Sequence, residues 1–250
     1  MEMEIEEITE KLVSDIYGLK EKASRTVVLS ERLRELSTEV TVEVLNQLCV
    51  KANANQPRYQ EVLLSLIDIF TITQLLGYGR MSEIYILSKE KGYDSVTRLL
   101  SRPPPKKELK DYEADLMKDP DMEFVTLGVK KTLARGSKKN VLDRLIRDQD
   151  PQVIGNLLNN PKITEKEVIK IAAQRPVSGE VLRIIFKNSK WISRYSVKKA
   201  LVLNPFTPTD ISLGLINFML VQDLRQISTE DSIHSDIIKA AIDLLKRKGG

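Results

Sequence analysis

Apolar residues recur along this chain at intervals of three and four. Ile5, Ile8, Leu12, Ile16 and Leu19 form one stripe with Glu residues on the opposite side, the spacing of a helix that buries a single face. A heptad seam would continue at position 15, where Asp15 stands, so a packed helix is predicted rather than a coiled coil. The same period predicts helices over about 41–54, 58–75, 81–91, 108–117, 121–134, 138–148 and 151–159. Further ones follow at about 165–175, 179–188, 194–203, 209–220 and 235–247. Alternating strand patterns with hairpin turns are absent. The sequence predicts an all-α fold.

Helix starts carry their own punctuation. Asp119-Pro120 and Asp150-Pro151 place a capping carboxylate before a proline, which at the first helical position lacks only an N–H that has no partner anyway. Thr164-Glu165-Lys166-Glu167 has the order of a capping box, and Thr207-Pro208-Thr209-Asp210 repeats the logic with an acid in the first turn. The segment Leu158-Asn159-Asn160-Pro161-Lys162-Ile163-Thr164 returns 44 residues later as Val202-Leu203-Asn204-Pro205-Phe206-Thr207-Pro208. The Asp-Pro pairs mark a shorter step of 31 residues. Short helices joined by Pro-marked loops are what stacked helical hairpins require, because one hairpin alone leaves its apolar face uncovered.

From Asp148 to Ile227 the chain resembles the HEAT-like helical-repeat proteins of uncharacterised bacterial type. The resemblance is carried by Asp150-Pro151, Asn160-Pro161 with Ile163-Thr164, Ile171-Ala172-Ala173 with Arg175-Pro176, and Val181-Leu182. It continues through Trp191, Arg194, Val197, Ala200-Leu201, Asn204-Pro205 with Thr207-Pro208, and Asp223-Leu224-Arg225. It implies an α-solenoid of stacked hairpins and a scaffold rather than a chemistry. Related iron–sulfur-bearing repeat proteins carry an N-terminal cysteine cluster that this chain lacks, so no cofactor is carried across.

Composition narrows the field. Among 250 residues there is one cysteine, Cys49, and one histidine, His234, too few for a disulfide framework, a zinc site or an iron–sulfur cluster. The longest apolar run, Leu213 to Val221, is interrupted by Gly214 and Asn217 and falls short of a membrane span. An acidic start, Met1-Glu2-Met3-Glu4-Ile5-Glu6-Glu7, differs from a signal or transit peptide, and with a free thiol it points to the cytoplasm.

Charge divides the chain. Residues 1–100 carry 12 Lys/Arg against 16 Asp/Glu, and residues 101–250 carry 27 against 19. The sign changes at Ser101-Arg102-Pro103-Pro104-Pro105-Lys106-Lys107, where three prolines forbid a helix. We therefore expect an acidic helical region over 1–100, a Pro-rich linker over 101–107 and a basic HEAT-like region over 108–250, the alternative being that 101–107 is a surface loop inside one continuous solenoid. Between Gly128 and Lys199 there are 17 Lys/Arg and six Asp/Glu. Several basic residues form i,i+4 pairs: Lys131/Arg135, Lys166/Lys170, Arg183/Lys187 and Arg194/Lys198, the last beside Lys199. Each like-charged pair costs a few tenths of a kcal/mol, so their recurrence marks a candidate partner-binding face.

Other motifs point to structure. Asp119, Asp121 and Glu123 resemble the start of a calcium loop, but Phe124 occupies the position that needs glycine. Gly77-Tyr78-Gly79-Arg80 lacks the third glycine of a dinucleotide loop and reads as a helix cap followed by a turn. His234 stands among Ser232, Ser235 and Asp236 at a helix start, where sequence neighbours do not form a triad. Cys49 reads as a small core residue, and Trp191 as an anchor of repeat packing. The chain is expected to be no enzyme, with no catalytic, cofactor-binding or metal-ligating residue. The expectation is a scaffold that binds a protein partner through a solenoid groove or the basic face. The alternative is nucleic-acid binding by the positive face of residues 128–199.

Overall fold

Amphipathic stripes of period 3.6 leave the chain one way to shelter its apolar side chains, helix against helix. In the computed structural model, which describes residues 2–112 and 121–248, helix accounts for 71% of the described residues. No strand occurs among the described residues. Two compact units emerge. The first holds Met1–Pro103 with Leu213–Arg225 and Ala240–Gly250, and the second holds Pro104–Ser212 with Gln226–Lys239.

The first unit is built on α1 (Glu2–Tyr17), α2 (Lys22–Glu35), α3 (Thr38–Asn53), α4 (Pro57–Leu66), α5 (Ile69–Leu76), α6 (Tyr78–Glu90) and α7 (Asp94–Leu100). At its centre lies α3, packed against α1, α4, α6 and α7. It buries Val42, Leu45, Leu48, Cys49 and Ala52, each aliphatic side chain contributing about 1.5–3 kcal/mol on removal from water. Polar ties sit at the margins of this core. Lys51 Nζ donates to Glu6 at 2.9 Å and to the Tyr59 hydroxyl at 3.1 Å, joining α3 to α1 and α4. Arg80 of α6 donates to the Leu33 carbonyl at 2.7 Å and to that of Leu36, closing the C-terminal end of α2, whose last carbonyls have no helical partner.

Three helices bridge the division of the chain in sequence: α15 (Thr209–Leu215), α16 (Val221–Ser228) and α17 (Ser235–Arg247). Within the first unit, Asp243 of α17 pairs with Arg98 at 2.6 Å. A 3-10 turn at Ile216–Phe218 packs on α3.

The second unit runs through a 3-10 turn at Leu109–Asp111, then α8 (Leu127–Leu133), α9 (Lys139–Leu145), α10 (Pro151–Leu158) and α11 (Glu165–Ala173). It continues with α12 (Gly179–Lys187), α13 (Ser189–Ile192) and α14 (Tyr195–Leu203). Here α10 packs against α8 and α12, and α11 packs against α14. Paired helices end side by side. Asn160, just past α10, donates to the carbonyls of Ala134 and Gly136, just past α8, at 2.8 and 2.7 Å. Trp191 Nε1 donates at 2.7 Å to the carbonyl of Leu158, the last residue of α10. Asn204, just past α14, donates to the carbonyls of Ala172 and Gln174 at the end of α11, at 2.8 and 2.9 Å. Because ends meet ends, the neighbours in each pair run in the same direction. The proline-rich segment belongs to this unit from Pro104 onward: the Lys107 N–H donates to the Pro205 carbonyl at 3.1 Å, and the Thr209 hydroxyl donates to that of Pro104 at 2.9 Å.

Several elements depart from the expected pattern. Helices α2, α7, α13 and α16 lie where none was predicted. The single helix expected over 58–75 is two, α4 and α5, bent by 70°. At the break, Asp68 turns its carboxylate to the Thr71 hydroxyl at 2.9 Å and its backbone leaves helical geometry at ψ 62°, the competition that short acidic side chains offer a helix. No single helix among the described residues is long and apolar enough to cross a membrane. Gly77, at φ 87°, ends α5 and starts α6 directly, with no intervening turn. Over 121–134 helix occupies only Leu127–Leu133. The helix expected over 108–117 is a 3-10 turn as far as it is described, and Asp119-Pro120 lies outside the described residues.

Candidate functional site

Six carboxylates fall between Gly128 and Lys199, and the fold engages all of them. Asp148 pairs with Lys130 at 3.0 Å, Glu165 with Arg194 at 4.0 Å and Glu180 with Arg183 at 3.8 Å. Asp150 caps α10 by accepting the Gln152 and Val153 N–H groups at 2.7 and 3.2 Å. Lys139 serves two acids, Glu167 at 2.8 Å and Asp143 at 3.9 Å. Glu167 also accepts the Thr164 N–H at 2.9 Å and the Thr164 hydroxyl. The Lys139 hydrogen bond, followed by that of Thr164, holds the buried Glu167 carboxyl at about 2, well below its ordinary 4.5.

With the acids occupied, the basic excess separates into two kinds. Some cations hold the unit together. Lys131 donates to Gln152 at 2.7 Å, and Arg135 donates to Asn156 at 3.2 Å, so this pair ties α8 to α10. Arg183 reaches Asp210 at 3.3 Å as well as Glu180, and Arg194 reaches Glu165. Lys198 and Lys199 lie half-buried on α14. Others face outward: Arg147, Lys166, Lys170 and Lys187 are exposed and have no hydrogen-bond or ion-pair partner for their side chains among the described residues.

Two of these outward cations share a groove. It measures about 660 Å³ and is lined by Asp143, Ile146 and Arg147 at the end of α9 and by Lys170, Ala173 and Gln174 at the end of α11. Both helices are amphipathic. Leu142 and Leu145 of α9 and Val168, Ile171 and Ala172 of α11 turn inward, which leaves the next positions of each helix along the groove. Ile146 and Ala173 supply its apolar surface. The groove is braced at both ends: Lys139 bonds Glu167 near the helix starts, and Gln174 Nε2 donates to the Arg147 carbonyl at 3.4 Å near the helix ends. Partial negative charge at helix C-termini attracts Arg147 and Lys170 without neutralising a full positive charge. The result is a preformed apolar slot with a cation on each wall.

Of the nine basic residues singled out from the sequence, Lys170 alone lines this groove; the others lie on α8, α11, α12 and α14 or, for Arg135 and Arg194, just beside α8 and α14. Arg147, Ile146, Ala173 and Gln174 escaped notice. A usable signal existed: Arg147 and Arg175 each stand two residues past the end of a helix, α9 and α11, the same register in successive elements. Arg175 uses its position differently, donating to the Leu203 carbonyl at 2.6 Å.

The remaining candidates resolve into structure. Trp191 is buried, its indole N–H committed to Leu158, so its face offers no stacking platform. His234 Nδ1 accepts the Asp236 N–H at 3.2 Å, a cap for α17. Cys49 is enclosed, and burial pushes its thiol up to about 12. Asp121 pairs with Arg144. Among the described residues no three His, Cys, Asp or Glu side chains gather as ligands for a metal ion. The chain matches no protein-family model, no curated protein and no solved structure.

Proposed function

We propose that the second unit is a HEAT-like stack of helical hairpins and that it works as a non-catalytic scaffold for a protein partner. The observation that carries this reading is the braced groove between α9 and α11, with Ile146 and Ala173 as its apolar surface and Arg147 and Lys170 on its walls. Supporting it is the order of helix neighbours. The α8, α10 and α12 series advances by one hairpin at each step, as a quasi-linear array does, and α11 packs on α14 in the same way. In such an array affinity comes from an apolar anchor seated in a slot, and the rim charges steer approach. A nucleic-acid ligand draws on phosphate contacts and base stacking, and among the described residues no aromatic side chain lines this slot.

The test is steric. Ala173 is exposed, so Ala173→Trp places an indole in the groove without entering the core. The full-length chain and this variant are used to capture proteins from nuclease-treated native lysate, and circular dichroism checks that both fold alike. A stoichiometric protein retained by the parent and lost from the variant is the expected result. Equal recovery by both chains, or retention of nucleic acid alone when nuclease is omitted, overturns the reading.

A further inference from the structure

Resting on the scaffold reading, we infer that the groove between α9 and α11 selects acidic protein segments carrying a small apolar side chain, with Arg147 and Lys170 holding carboxylates on either side of that anchor. The argument is one of charge complementarity within a fixed slot. Five of the six acids between Gly128 and Lys199 are engaged away from the groove, through Lys130, Lys139, Arg183 and Arg194 or through the cap of α10, and the sixth, Asp143, lies in it. Arg147 and Lys170 are left without a side-chain partner among the described residues, and both line the same groove. One turn before Lys170 on α11, Lys166 is likewise exposed and unpartnered, which extends the positive wall along the helix. A basic or neutral segment gains nothing from these walls.

The slot between the walls supplies an apolar contact for the acidic segment. Ile146 is largely buried, and the ties from Lys139 to Glu167 and from Gln174 to Arg147 fix the separation of the helices. An aliphatic side chain of modest size therefore meets a ready surface and loses little in ordering it. Asp143 also lines the groove, 3.9 Å from Lys139. Its charge opposes an acidic ligand, so neutralising it favours binding.

The experiment is a fluorescence anisotropy titration of the full-length chain with four labelled probes. These are a short Glu/Leu peptide with leucines at helical spacing, the same peptide with Ser for Leu, its Lys/Leu counterpart, and a single-stranded oligonucleotide of similar length. The Glu/Leu peptide is expected to bind, and to bind more weakly as salt rises. Its affinity falls at least about tenfold in the double variant R147E/K170E and rises about two- to threefold in Asp143→Asn. The Ser peptide binds more weakly and the Lys peptide not at all. Unchanged affinity in R147E/K170E, equal binding of the Lys peptide, or tighter binding of the oligonucleotide overturns the inference. Failure here is distinct from failure of the scaffold reading. A partner still lost on Ala173→Trp while no acidic peptide binds leaves the groove a docking site for a segment of other chemistry, whereas a partner indifferent to Ala173→Trp removes the groove altogether.

Discussion

Asn160 and Asn204 make the same three hydrogen bonds at the ends of two different helices. Each amide nitrogen donates to two carbonyls, Ala134 and Gly136 for Asn160, Ala172 and Gln174 for Asn204, at distances from 2.7 to 2.9 Å. Each amide oxygen accepts the N–H two residues later, Lys162 at 2.9 Å and Phe206 at 3.0 Å. Both side chains are buried, and a carbonyl at a helix end has no partner of its own. One residue thus closes the end of an earlier helix while shaping the turn that follows its own.

Asn160→Ala and Asn204→Ala each leave two carbonyls and one N–H without their partner, a loss of about 2–3 kcal/mol. Asn→Asp at either site is expected to be no milder, since a carboxylate accepts where the carbonyls require a donor. Urea unfolding of the four variants measures this. A midpoint for either Asp variant equal to the parent's would contradict the clamp.

Gly214 lies against Ile67 in the first unit. A Cβ there would collide with Ile67 Cγ1 and meet its Cδ1 and Cγ2 at 2.7 and 2.8 Å, and Ile67 is fully buried. Gly214→Ala should therefore destabilise by about 1–3 kcal/mol. Trimming the obstacle relieves it: Gly214→Ala costs less in an Ile67→Ala background than in the parent chain. Denaturant unfolding of the complete double-mutant cycle reads the coupling, and strict additivity would show that the two residues do not touch.

The tie that braces the groove depends on pH. The Glu167 carboxyl is held at about 2, below its ordinary 4.5, by Lys139 and Thr164. A depressed carboxylate stabilises the fold fully above its unfolded value, and that stabilisation is lost as pH falls from about 4.5 through about 2. Glu167→Gln should lower stability by about 1–2 kcal/mol at pH 7. The gap between parent and variant should narrow as the pH is lowered through that interval. Urea midpoints measured in parallel across the range test it, and a constant gap would separate the ion pair from acid sensitivity.

Cys49 reports on the first unit. It is fully buried, with its thiol pushed up to about 12, and only a thiolate attacks a thiol reagent at an appreciable rate. An aromatic disulfide reagent at mildly alkaline pH should leave the native chain unlabelled and modify one thiol per chain in denaturant. Rapid labelling of the native chain would place Cys49 at the surface.

The sequence revealed the parts that follow from local chemistry. The Asn-Pro recurrence marked both clamps, and Asp150 was recognisable as a cap because the requirement lies within four residues of chain. Helix α2 was hidden for a physical reason: Thr26 and Ser30 share the inward face with Leu29 and Leu33 while Val27 is exposed, which dilutes the expected stripe. Their hydroxyls are satisfied inside the helix, donating to the carbonyls of Lys22 at 3.1 Å and Thr26 at 2.8 Å. The α4–α5 break turned on one acid, Asp68, within an apolar run. Of the groove, the sequence offered only the matching positions of Arg147 and Arg175 past their helices. The groove exists because α9 and α11 end side by side, and nothing in the spacing of Arg147 and Lys170 announces that they share it. The basic pairs were visible as charge, but only tertiary structure separates Lys131 and Arg135, which bond to α10, from Lys170, which has no such partner among the described residues.

A photo-reactive phenylalanine analogue placed at Ala173 of the full-length chain puts the groove's occupant to the most direct test, because it bonds covalently to whatever lies within the slot. In cells of the source organism, irradiation should yield one discrete protein adduct, linked through a segment rich in Asp and Glu. The adduct should be absent when the analogue stands instead at Lys187 on α12, and lost in R147E/K170E. A nucleic-acid adduct, no adduct, or the same products from both positions would contradict the account.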